Sequence, residues 1–252
     1  MRNLLIVCNP SREDAVAAAV ELQHNLASTF GIYTISDVDI AGIIKITAAD
    51  LPQLEVAVVL GGDGTMLRAA EVAHERDIPL LGVNLGHVGF LSEVEHSKIS
   101  DVIDALVNRA YVIDPRITLG YSVERNGAVV ANGWALNEVT VEREKATMVE
   151  IFLEIDNRPI SRWGCDGLIC STPTGSTAYA FSAGGPILWP EVDALVVLPI
   201  SAHALFSRPL VISPTSKIAV GIESSEAFLS ADALRKFALK KGDRVMVTKN
   251  PR

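Results

Sequence analysis

Short, continuous apolar runs alternate with stretches of helical spacing through the first part of this chain. The runs have the length and composition of strands buried on both faces, and they are Leu4 to Cys8, Val56 to Leu60 and Pro79 to Val83. Apolar residues return at helical spacing from Val16 to Leu26, from Thr65 to His74 and from Ile99 to Val107. Repeated strand–helix units predict a parallel sheet with right-handed crossovers. Ser11 is expected to cap the first helix.

The pattern changes to a period of two after Asp114-Pro115. Alternating apolar positions begin at Ile117 and Leu119, and Asn126-Gly127 is a strong hairpin signal. Further alternating positions are Val139 and Val141; Ile151, Leu153 and Ile155; Ile218, Val220 and Ile222; and Val245 and Val247. Many short strands separated by turns predict an antiparallel sandwich. We therefore predict two domains, an α/β domain over residues 1–114 and an all-β, sandwich-like domain over residues 115–252.

Composition narrows the range of partners. The formal net charge of −8 argues against a nucleic-acid surface, because phosphate backbones select basic proteins. No apolar run approaches the roughly 20 residues that span a bilayer, and the N-terminus lacks a signal-peptide pattern. Cys8, Cys165 and Cys170 have apolar neighbours and no metal-ligand spacing, which indicates buried thiols in a reducing compartment. We expect a cytoplasmic protein with no membrane partner.

The first candidate site is the turn Gly61-Gly62-Asp63-Gly64-Thr65, which follows the apolar run ending at Leu60. Ligands of open α/β sheets bind outside the carboxyl ends of strands. Glycines permit a close backbone approach, and the N-terminus of the next helix offers N–H groups to a phosphate. The turn has neither the lysine of a P-loop nor the Gly-x-Gly-x-x-Gly dinucleotide fingerprint. It therefore predicts a phosphate cradle of another kind.

Asp63 sets this turn apart, because a carboxylate beside a phosphate is repulsive unless it has a task of its own. It could accept a proton from an attacking hydroxyl, or hold Mg²⁺ directly or through water. The alternative interpretation is a helix cap, for which aspartate is favoured. Arg68, one turn further, either meets a phosphate or lies in solvent. An acidic protein that binds a polyphosphate needs a divalent metal ion and a few such cations.

The second candidate site is the hydroxyl-rich run from Ser171 to Tyr179, which follows the apolar segment Gly167 to Cys170. Its neutral donors and acceptors suit a ligand with amides and ribose hydroxyls, and Tyr179 could stack on a purine. An ordinary polar loop is the alternative. Asn137-Glu138 is a third candidate, because this polar pair interrupts a β-rich segment. The pair either lines a pocket or lies solvated at a sheet edge.

These motifs, in this order, resemble those of the NAD kinase family, the ATP-dependent and polyphosphate/ATP-dependent kinases that make NADP. The resemblance covers essentially the whole chain. The segments that carry it are Gly61–Thr65, Asn84–Leu91, Asn137-Glu138, Asp166-Gly167 running into Ser171–Ser182, Ala202–Leu205 and Ser207–Leu210. The glycine-aspartate turn is shared with diacylglycerol and sphingosine kinases and with phosphofructokinases. The hydroxyl-rich run with an upstream Asn-Glu pair is far more specific.

The resemblance implies a Rossmann-like N-terminal domain, a β-sandwich-like C-terminal domain, an active site between them and a homodimer or homotetramer. It implies transfer of the γ-phosphoryl of ATP, or of polyphosphate, to the 2′-hydroxyl of the NAD adenosine ribose, with Mg²⁺ or Mn²⁺ bridging the phosphates. Asp63 would accept the proton. The residues implied in binding phosphate or NAD are Gly61, Gly62, Gly64, Thr65, Arg68, Phe90, Asn137, Glu138, Asp166, Thr177, Ala178, Tyr179 and Ser182.

The chain departs from the family pattern in two places. Many relatives continue beyond the last predicted strand, whereas this chain stops at Arg252, which bears on domain tethering and assembly. The family often has Asp-Gly or Asp-His where this chain has Asp232-Ala233, which bears on one peripheral dinucleotide contact. Two alternative functions stay open at this point. A lipid kinase would not need the hydroxyl-rich run, and a non-catalytic NAD(P)-binding regulator would have lost Asp63.

Overall fold

The structure is a computed structural model that describes residues 2–36, 39–85, 94–95, 98–204, 207–224 and 227–251. The chain forms two compact units, Met1–Asp114 and Pro115–Arg252. The first contains a parallel sheet with helices, and the second contains two antiparallel sheets. The predicted fold class, α/β followed by an all-β sandwich, is confirmed.

The first unit is an open sheet in which every described pair of neighbouring strands is parallel. Its elements are β1 (Arg2–Cys8), α1 (Glu13–Leu26), β2 (Phe30–Thr34), β3 (Ile44–Lys45), β4 (Val56–Leu60), α2 (Asp63–Ala73), β5 (Leu80–Asn84), β6 (Val94–Glu95) and α3 (Ile99–Asn108), with short 3₁₀ helices at Ala48–Asp50 and His74–Arg76. The strand order is β3-β2-β1-β4-β5-β6, so the order reverses between β1 and β4. A reversal of this kind opens a crevice beyond the strand ends, where ligands of doubly wound folds bind.

The two central strands carry apolar side chains on both faces of this sheet. Leu4 and Ile6 of β1 pack in one cluster with buried residues of α1 and α3. Leu5 and Val7 pack in a second cluster with Met66 and other residues of α2. Burial on both faces is the reason why β1 and β4 have no polar alternation in the sequence.

The starts of α1 and α2 differ from the prediction, whereas α3 begins at Ile99 as predicted. The N-cap of α1 is Arg12, and the hydroxyl of Ser11 instead donates to Asn9 Oδ1 at 2.8 Å, so the predicted Ser11 cap is wrong. Helix α2 begins at Asp63 rather than at Thr65, because Gly62 takes the N-cap position. Asp63 therefore belongs to the first turn of the helix, and the interpretation of this residue as the N-cap is wrong.

The second unit is a sandwich of two six-stranded sheets in which the described neighbours are antiparallel. Its strands are β7 (Leu119–Arg125), β8 (Ala128–Ala135), β9 (Glu138–Arg143), β10 (Val149–Ile155), β11 (Arg158–Cys165), β12 (Gly167–Ser171), β13 (Leu195–Ile200), β14 (Leu210–Ile212), β15 (Ile218–Ile222), β16 (Ala227–Ala231), β17 (Arg235–Leu239) and β18 (Arg244–Lys249), with a 3₁₀ helix at Thr174–Thr177 and a one-turn helix α4 (Tyr179–Ser182). The orders are β11-β10-β15-β18-β7-β8 and β14-β13-β12-β9-β16-β17. The predicted Asn126-Gly127 hairpin joins β7 to β8 with positive φ at both residues, as a tight hairpin turn requires.

The second of these sheets, β14-β13-β12-β9-β16-β17, is covered on both sides along part of its width. Its inward residues, such as Val139 and Leu168, share one core with the other sheet. On its outer face, Ile169 and Val196 pack against Ala180 of α4. The hydroxyl-rich run of the sequence therefore lies against the outer face of this sheet, beside β12.

All three cysteines are buried and free, as predicted. Burial raises the pKa of Cys165 to about 11 and that of Cys170 to about 12, so neither thiol is a nucleophile near neutral pH. Within the described residues, no helix combines the length and the hydropathy needed to cross a membrane.

Candidate functional site

The glycine-aspartate turn lies at the carboxyl end of β4, beside β1 where the strand order reverses. Cys8 at the end of β1 is paired with Leu60 at the end of β4. Gly61 follows with φ 155°, and a Cβ at this position would lie 2.6 Å from Thr65 Oγ1. Its amide donates to the carbonyl of Val83 at 3.1 Å, which ties the turn to β5. Gly61 is thus required by both its conformation and its packing.

Gly62 and Gly64 differ from Gly61, because added Cβ atoms there would meet no atom within 4 Å. The backbone beside them is therefore open to a ligand. The carbonyl of Gly62 accepts the first hydrogen bonds of α2, from Thr65 at 2.9 Å and Met66 at 3.1 Å. The positive end of the α2 dipole lies at this turn, so this end of the helix favours an anion.

Asp63 is half-buried in that first turn, and Arg68 is exposed one turn further along α2. Phe90, with residues 86–91 of the Asn84–Leu91 segment, lies outside the described residues. The described part of the chain contains no group of three or more His, Cys, Asp or Glu side chains that could hold a metal ion by itself. A Mg²⁺ ion commonly takes one or two carboxylates and otherwise binds substrate phosphates and water, which fits a turn with the single acid Asp63.

The second unit has a pocket of about 260 Å³ on the outer face of the β14-β13-β12-β9-β16-β17 sheet. Strands β9 and β16 are neighbours in this sheet, and their inward positions are apolar. Their outward positions, together with α4 and the β16–β17 hairpin, line the pocket with Glu138, Thr140, Glu142, Tyr179, Phe228, Ser230, Asp232, Ala233 and Lys236. We refer to this cavity as the outer-face pocket.

Asn137 and Glu138 lie at the start of β9, a central strand between β12 and β16. Their exposed fractions are only 4% and 7%, so the interpretation of a solvated edge pair is wrong. Asn137 Oδ1 and Glu138 Oε2 are buried and accept no hydrogen bond from the described part of the chain. Buried polar atoms are nearly always paired in folded proteins, so these two oxygens point to donors supplied by a ligand.

Asp232 lies next to this pair, in the hairpin between β16 and β17, and also lines the pocket. Its carboxylate accepts hydrogen bonds from the backbone amides of Leu136 at 2.8 Å, Asn137 at 2.7 Å and Glu138 at 3.3 Å. Arg235 donates to the same carboxylate at 3.4 Å. The amide of Asp232 donates in return to the carbonyl of Glu138 at 3.1 Å.

The pKa of Glu138 is raised to about 7, chiefly by burial and further by the carboxylates of Asp232 and Glu142, against the opposing effect of a hydrogen bond from the backbone amide of Tyr179. Burial also raises the pKa of Asp232, against the three amide bonds and Arg235. A carboxyl group with a pKa near 7 changes charge within the physiological range. The state of Glu138 is therefore sensitive to any hydroxyl or cation placed beside it.

The hydroxyl-rich run is largely a structural device. Ser171, Thr172 and Ser176 are fully buried. Their hydroxyls donate to carbonyls of Asn137 at 3.2 Å, Leu136 at 2.7 Å and Pro173 at 2.6 Å, respectively. The expectation that these groups serve a ligand is wrong for the three of them, because the hydroxyls of Ser171 and Thr172 hold the backbone around Asn137 and that of Ser176 holds its own turn and Leu188.

Of the later residues in the run, Tyr179 joins the outer-face pocket with Glu138, and its hydroxyl lies 3.5 Å from Glu142 Oε2. Thr177 and Ala178 are half-buried and Ser182 is exposed on α4, outside the pocket lining. Asp166 precedes β12 at the end opposite Ser171 and is 2.7 Å from the guanidinium of Arg143. The pocket thus brings together Glu138 and Tyr179, but not Asp166.

Sequence reasoning missed most of the pocket lining. Strand alternation could have found four of them. Thr140 and Glu142 alternate with the core residues Val139 and Val141 of β9, and Phe228 and Ser230 alternate with the core residues of β16. Asp232 has no such signal. Its place next to Asn137 depends on the pairing of β9 with β16, which are far apart in the sequence.

The family models and the related proteins that match this chain all belong to one family. Residues 4–111 match the ATP-NAD kinase N-terminal domain, and residues 136–252 match the ATP-NAD kinase C-terminal domain. The chain is 43% identical to NAD kinase 2 of Streptomyces avermitilis over 258 residues, which cover 98% of this chain and 86% of that protein. It is 52% identical to the NAD kinase of Thermobifida fusca over 203 residues, which cover 78% of this chain and 62% of that protein.

Two solved structures have similar folds. Yeast NADH kinase complexed with NADH superposes with a TM-score of 0.90 at 26% identity, covering 99% of this chain and 80% of that one. An NAD kinase from Archaeoglobus fulgidus in complex with ATP has a TM-score of 0.78 at 26% identity, covering 100% of this chain and 91% of that one.

Proposed function

This chain belongs to the NAD kinase family, and we propose that it transfers the γ-phosphoryl group of ATP to the 2′-hydroxyl of the adenosine ribose of NAD, producing NADP. The observation that carries the proposal is the outer-face pocket, which Tyr179 also lines and where Glu138 Oε2 is buried with no donor among the described residues. A carboxylate next to an aromatic ring suits the hydroxyls and base of a nucleoside. It does not suit an acyl chain, which needs an apolar slot.

Asp63 acts as the proton acceptor in this mechanism. Phosphoryl transfer passes through a loose transition state, so positioning and neutralisation of charge account for most of the catalysis. The amides of the first turn of α2 hold phosphate oxygens, with Gly62 and Gly64 leaving room for them. Asp63 orients the attacking 2′-hydroxyl and takes its proton as the new oxygen–phosphorus bond forms, while the bond from the γ-phosphorus to the β,γ-bridging oxygen breaks and ADP leaves.

Glu138 and Asn137 bind the dinucleotide in this proposal. Their buried oxygens, Oε2 and Oδ1, accept hydrogen bonds from ligand donors such as ribose hydroxyls or amides. The ring of Tyr179 packs on the adenine. Thr177, Ala178 and Ser182 are further NAD contacts beside Tyr179. Asp166, which forms an ion pair with Arg143, is also an NAD-binding residue in this proposal.

A divalent ion, Mg²⁺ or Mn²⁺, would bind together with ATP and would supply neutralisation of its phosphates, which matters in a protein of net charge −8. Asp63 is the carboxylate of the turn that would hold it, directly or through water. Arg68 is the nearby cation of α2 that would assist.

Assembly and location complete the proposal. We expect a homodimer or homotetramer in the cytoplasm, and the three free, buried cysteines fit a reducing compartment. Light scattering of the purified protein would measure the number of subunits. A monomer that is active at all concentrations would contradict the expected assembly.

The activity is tested by incubating the purified chain with Mg²⁺, ATP and NAD and measuring NADP with an NADP-specific dehydrogenase. Parallel reactions replace ATP by polyphosphate, NAD by NADH, and NAD by diacylglycerol. Production of NADP from ATP and NAD is the expected result. Phosphorylation of diacylglycerol alone would favour a lipid kinase, and NAD binding without turnover would favour a regulator.

A further inference from the structure

We propose that Asp232 is a positioning residue for NAD, which acts by fixing the backbone of Leu136, Asn137 and Glu138 from the wall of the outer-face pocket. This inference rests on the proposed function, because it concerns how the same pocket is held in shape. Asp232 has an exposed fraction of only 3%, although it belongs to a hairpin turn. Its φ of 51° lies in the left-handed region, where a residue with a Cβ is sterically strained.

The carboxylate of Asp232 is committed to the protein rather than to a ligand. Oδ1 accepts from the amides of Asn137 and Glu138, and Oδ2 accepts from the amide of Leu136 and from Arg235. Four donors leave little capacity for substrate. Asp232 must therefore influence NAD through the residues whose amides it holds.

Those three amides need an acceptor because of where they lie in the sandwich. Ala135 ends β8 in one sheet, and Glu138 begins β9 in the other, so Leu136 and Asn137 cross between the sheets. A crossing segment loses its ladder partners while its backbone stays partly or fully buried. One carboxylate in the β16–β17 hairpin satisfies all three N–H groups.

The carbonyls of the same segment are held from the opposite direction. Thr172 donates to the carbonyl of Leu136 through its hydroxyl and to that of Asn137 through its amide at 2.9 Å. The hydroxyl of Ser171 adds a bond to the carbonyl of Asn137. Asp232 on one side and Ser171–Thr172 on the other fix the backbone. The side-chain oxygens Asn137 Oδ1 and Glu138 Oε2 are left for the ligand.

The test is Asp232→Asn, measured beside Asp243→Asn as the matched control. Asp243 is also a buried aspartate in a turn, the one between β17 and β18, and is 1% exposed; it accepts from the amide of Lys240 at 2.8 Å and from Arg125 at 2.6 Å. It does not line the outer-face pocket. The two variants lose comparable hydrogen bonds, so a general effect on folding should appear in both.

For Asp232→Asn we expect the dissociation constant of NAD, measured by calorimetry, to rise at least ~10-fold, the change that about 1.4 kcal/mol produces. The kcat at saturating NAD should change far less, because Asp232 does not touch the reacting groups. Asp243→Asn should leave the affinity for NAD unchanged. Equal affinities in Asp232→Asn and the wild type would overturn the proposal.

A pH profile separates positioning from a purely structural role. Glu138, as a carboxylate acceptor, should bind NAD more weakly as the pH falls and it takes up a proton. Asp232, Glu142, Arg235 and Lys236 are the charged groups near it, and Tyr179 donates its amide. Loss of the Asp232 charge should shift the midpoint of this profile to lower pH, whereas Asp243→Asn should not. An unshifted midpoint in a folded Asp232→Asn protein would contradict the proposal.

If Asp232→Asn does not fold alone, the same change is compared within an Ala233→Gly background, which relieves the left-handed residue next to it. The wild type supplies a further measurement, since an affinity for NAD that is constant from pH 6 to pH 8.5 would also contradict the proposal. Failure of the proposed function is distinguishable, because it would appear as absence of NADP in the wild type itself.

Discussion

Gly175 packs so closely on Asn137 that no side chain fits between them. A Cβ at Gly175 would collide with the carbonyl oxygen, the carbonyl carbon and the α-carbon of Asn137. The amide of Gly175 is held by Thr172 Oγ1 at 3.0 Å, so the turn cannot move away without losing this bond. The contact joins the hydroxyl-rich run to the Asn137-Glu138 segment.

Gly175→Ala should therefore disturb the outer-face pocket as well as the stability of the protein. We expect the free energy of unfolding to fall by about 1–3 kcal/mol, the usual cost of overpacking, and the affinity for NAD to fall with it. Urea denaturation and calorimetry measure the two effects. Gly164→Ala is the control, because its Cβ would meet only the side chain of Met148 at 3.7 Å. Equal behaviour of the two variants would disprove the packing argument.

Asp63→Asn tests the assigned proton acceptor. The amide cannot take the proton of the 2′-hydroxyl, so kcat should fall at least ~10²-fold while NAD binding is largely retained. Asp101→Asn is a matched control, because Asp101 is an exposed acid in the first turn of α3. Both changes remove a favourable interaction with a helix N-terminus, but only Asp63→Asn should affect turnover. An unchanged kcat would rule out the role assigned to Asp63.

Glu138 should make the stability of the ligand-free protein depend on pH. Its pKa is about 7 in the folded protein, compared with an ordinary value of 4.5. Between these values the folded protein holds the proton more tightly than the unfolded chain, so raising the pH through this window lowers the free energy of unfolding. The full effect is about 3 kcal/mol, since each pKa unit corresponds to about 1.4 kcal/mol.

Glu138→Gln isolates this contribution. Denaturation curves at pH 4 and pH 8 should show the variant gaining stability relative to the wild type as the pH rises, because only the wild type acquires a buried charge. A stability difference that is the same at both pH values would show that the pKa of Glu138 is ordinary.

Ala233→Gly should stabilise the β16–β17 hairpin. Ala233 has φ 56°, in the left-handed region, where a residue with a Cβ is strained by about 1–2 kcal/mol and glycine is not. We expect a gain of about 1 kcal/mol in the free energy of unfolding, read from the urea midpoint. Ala238→Gly, an exposed position on β17 of the same hairpin, should instead cost about 0.5–1 kcal/mol. A loss of stability in Ala233→Gly would contradict the argument from strain.

Local patterns were sufficient for the fold class and for the phosphate turn. The apolar runs at β1 and β4 and the alternation in β7, β10 and β15 follow from which faces are buried, and burial leaves a direct mark on the sequence. The turn around Asp63 was found because glycine is the one residue that tolerates its backbone geometry. The start of α1 was predicted wrongly. The hydroxyl of Ser11 donates to the side chain of Asn9, two residues before it, instead of capping the helix, and Arg12 takes the N-cap position.

Amino-acid identities and their spacing show which residues could carry chemistry, whereas the folded chain sets how each of them is used. Ser171 and Glu138 are both polar residues in short strands, yet the first is a structural donor and the second has a buried oxygen that no donor in the described part of the chain reaches. The difference depends on pairing across the β12-β9-β16 part of one sheet. Asp232 shows the same limit, because a hydrogen bond between residues about a hundred positions apart leaves no periodic trace. Periodicity records which face is buried, whereas only the folded sheet sets which polar groups meet.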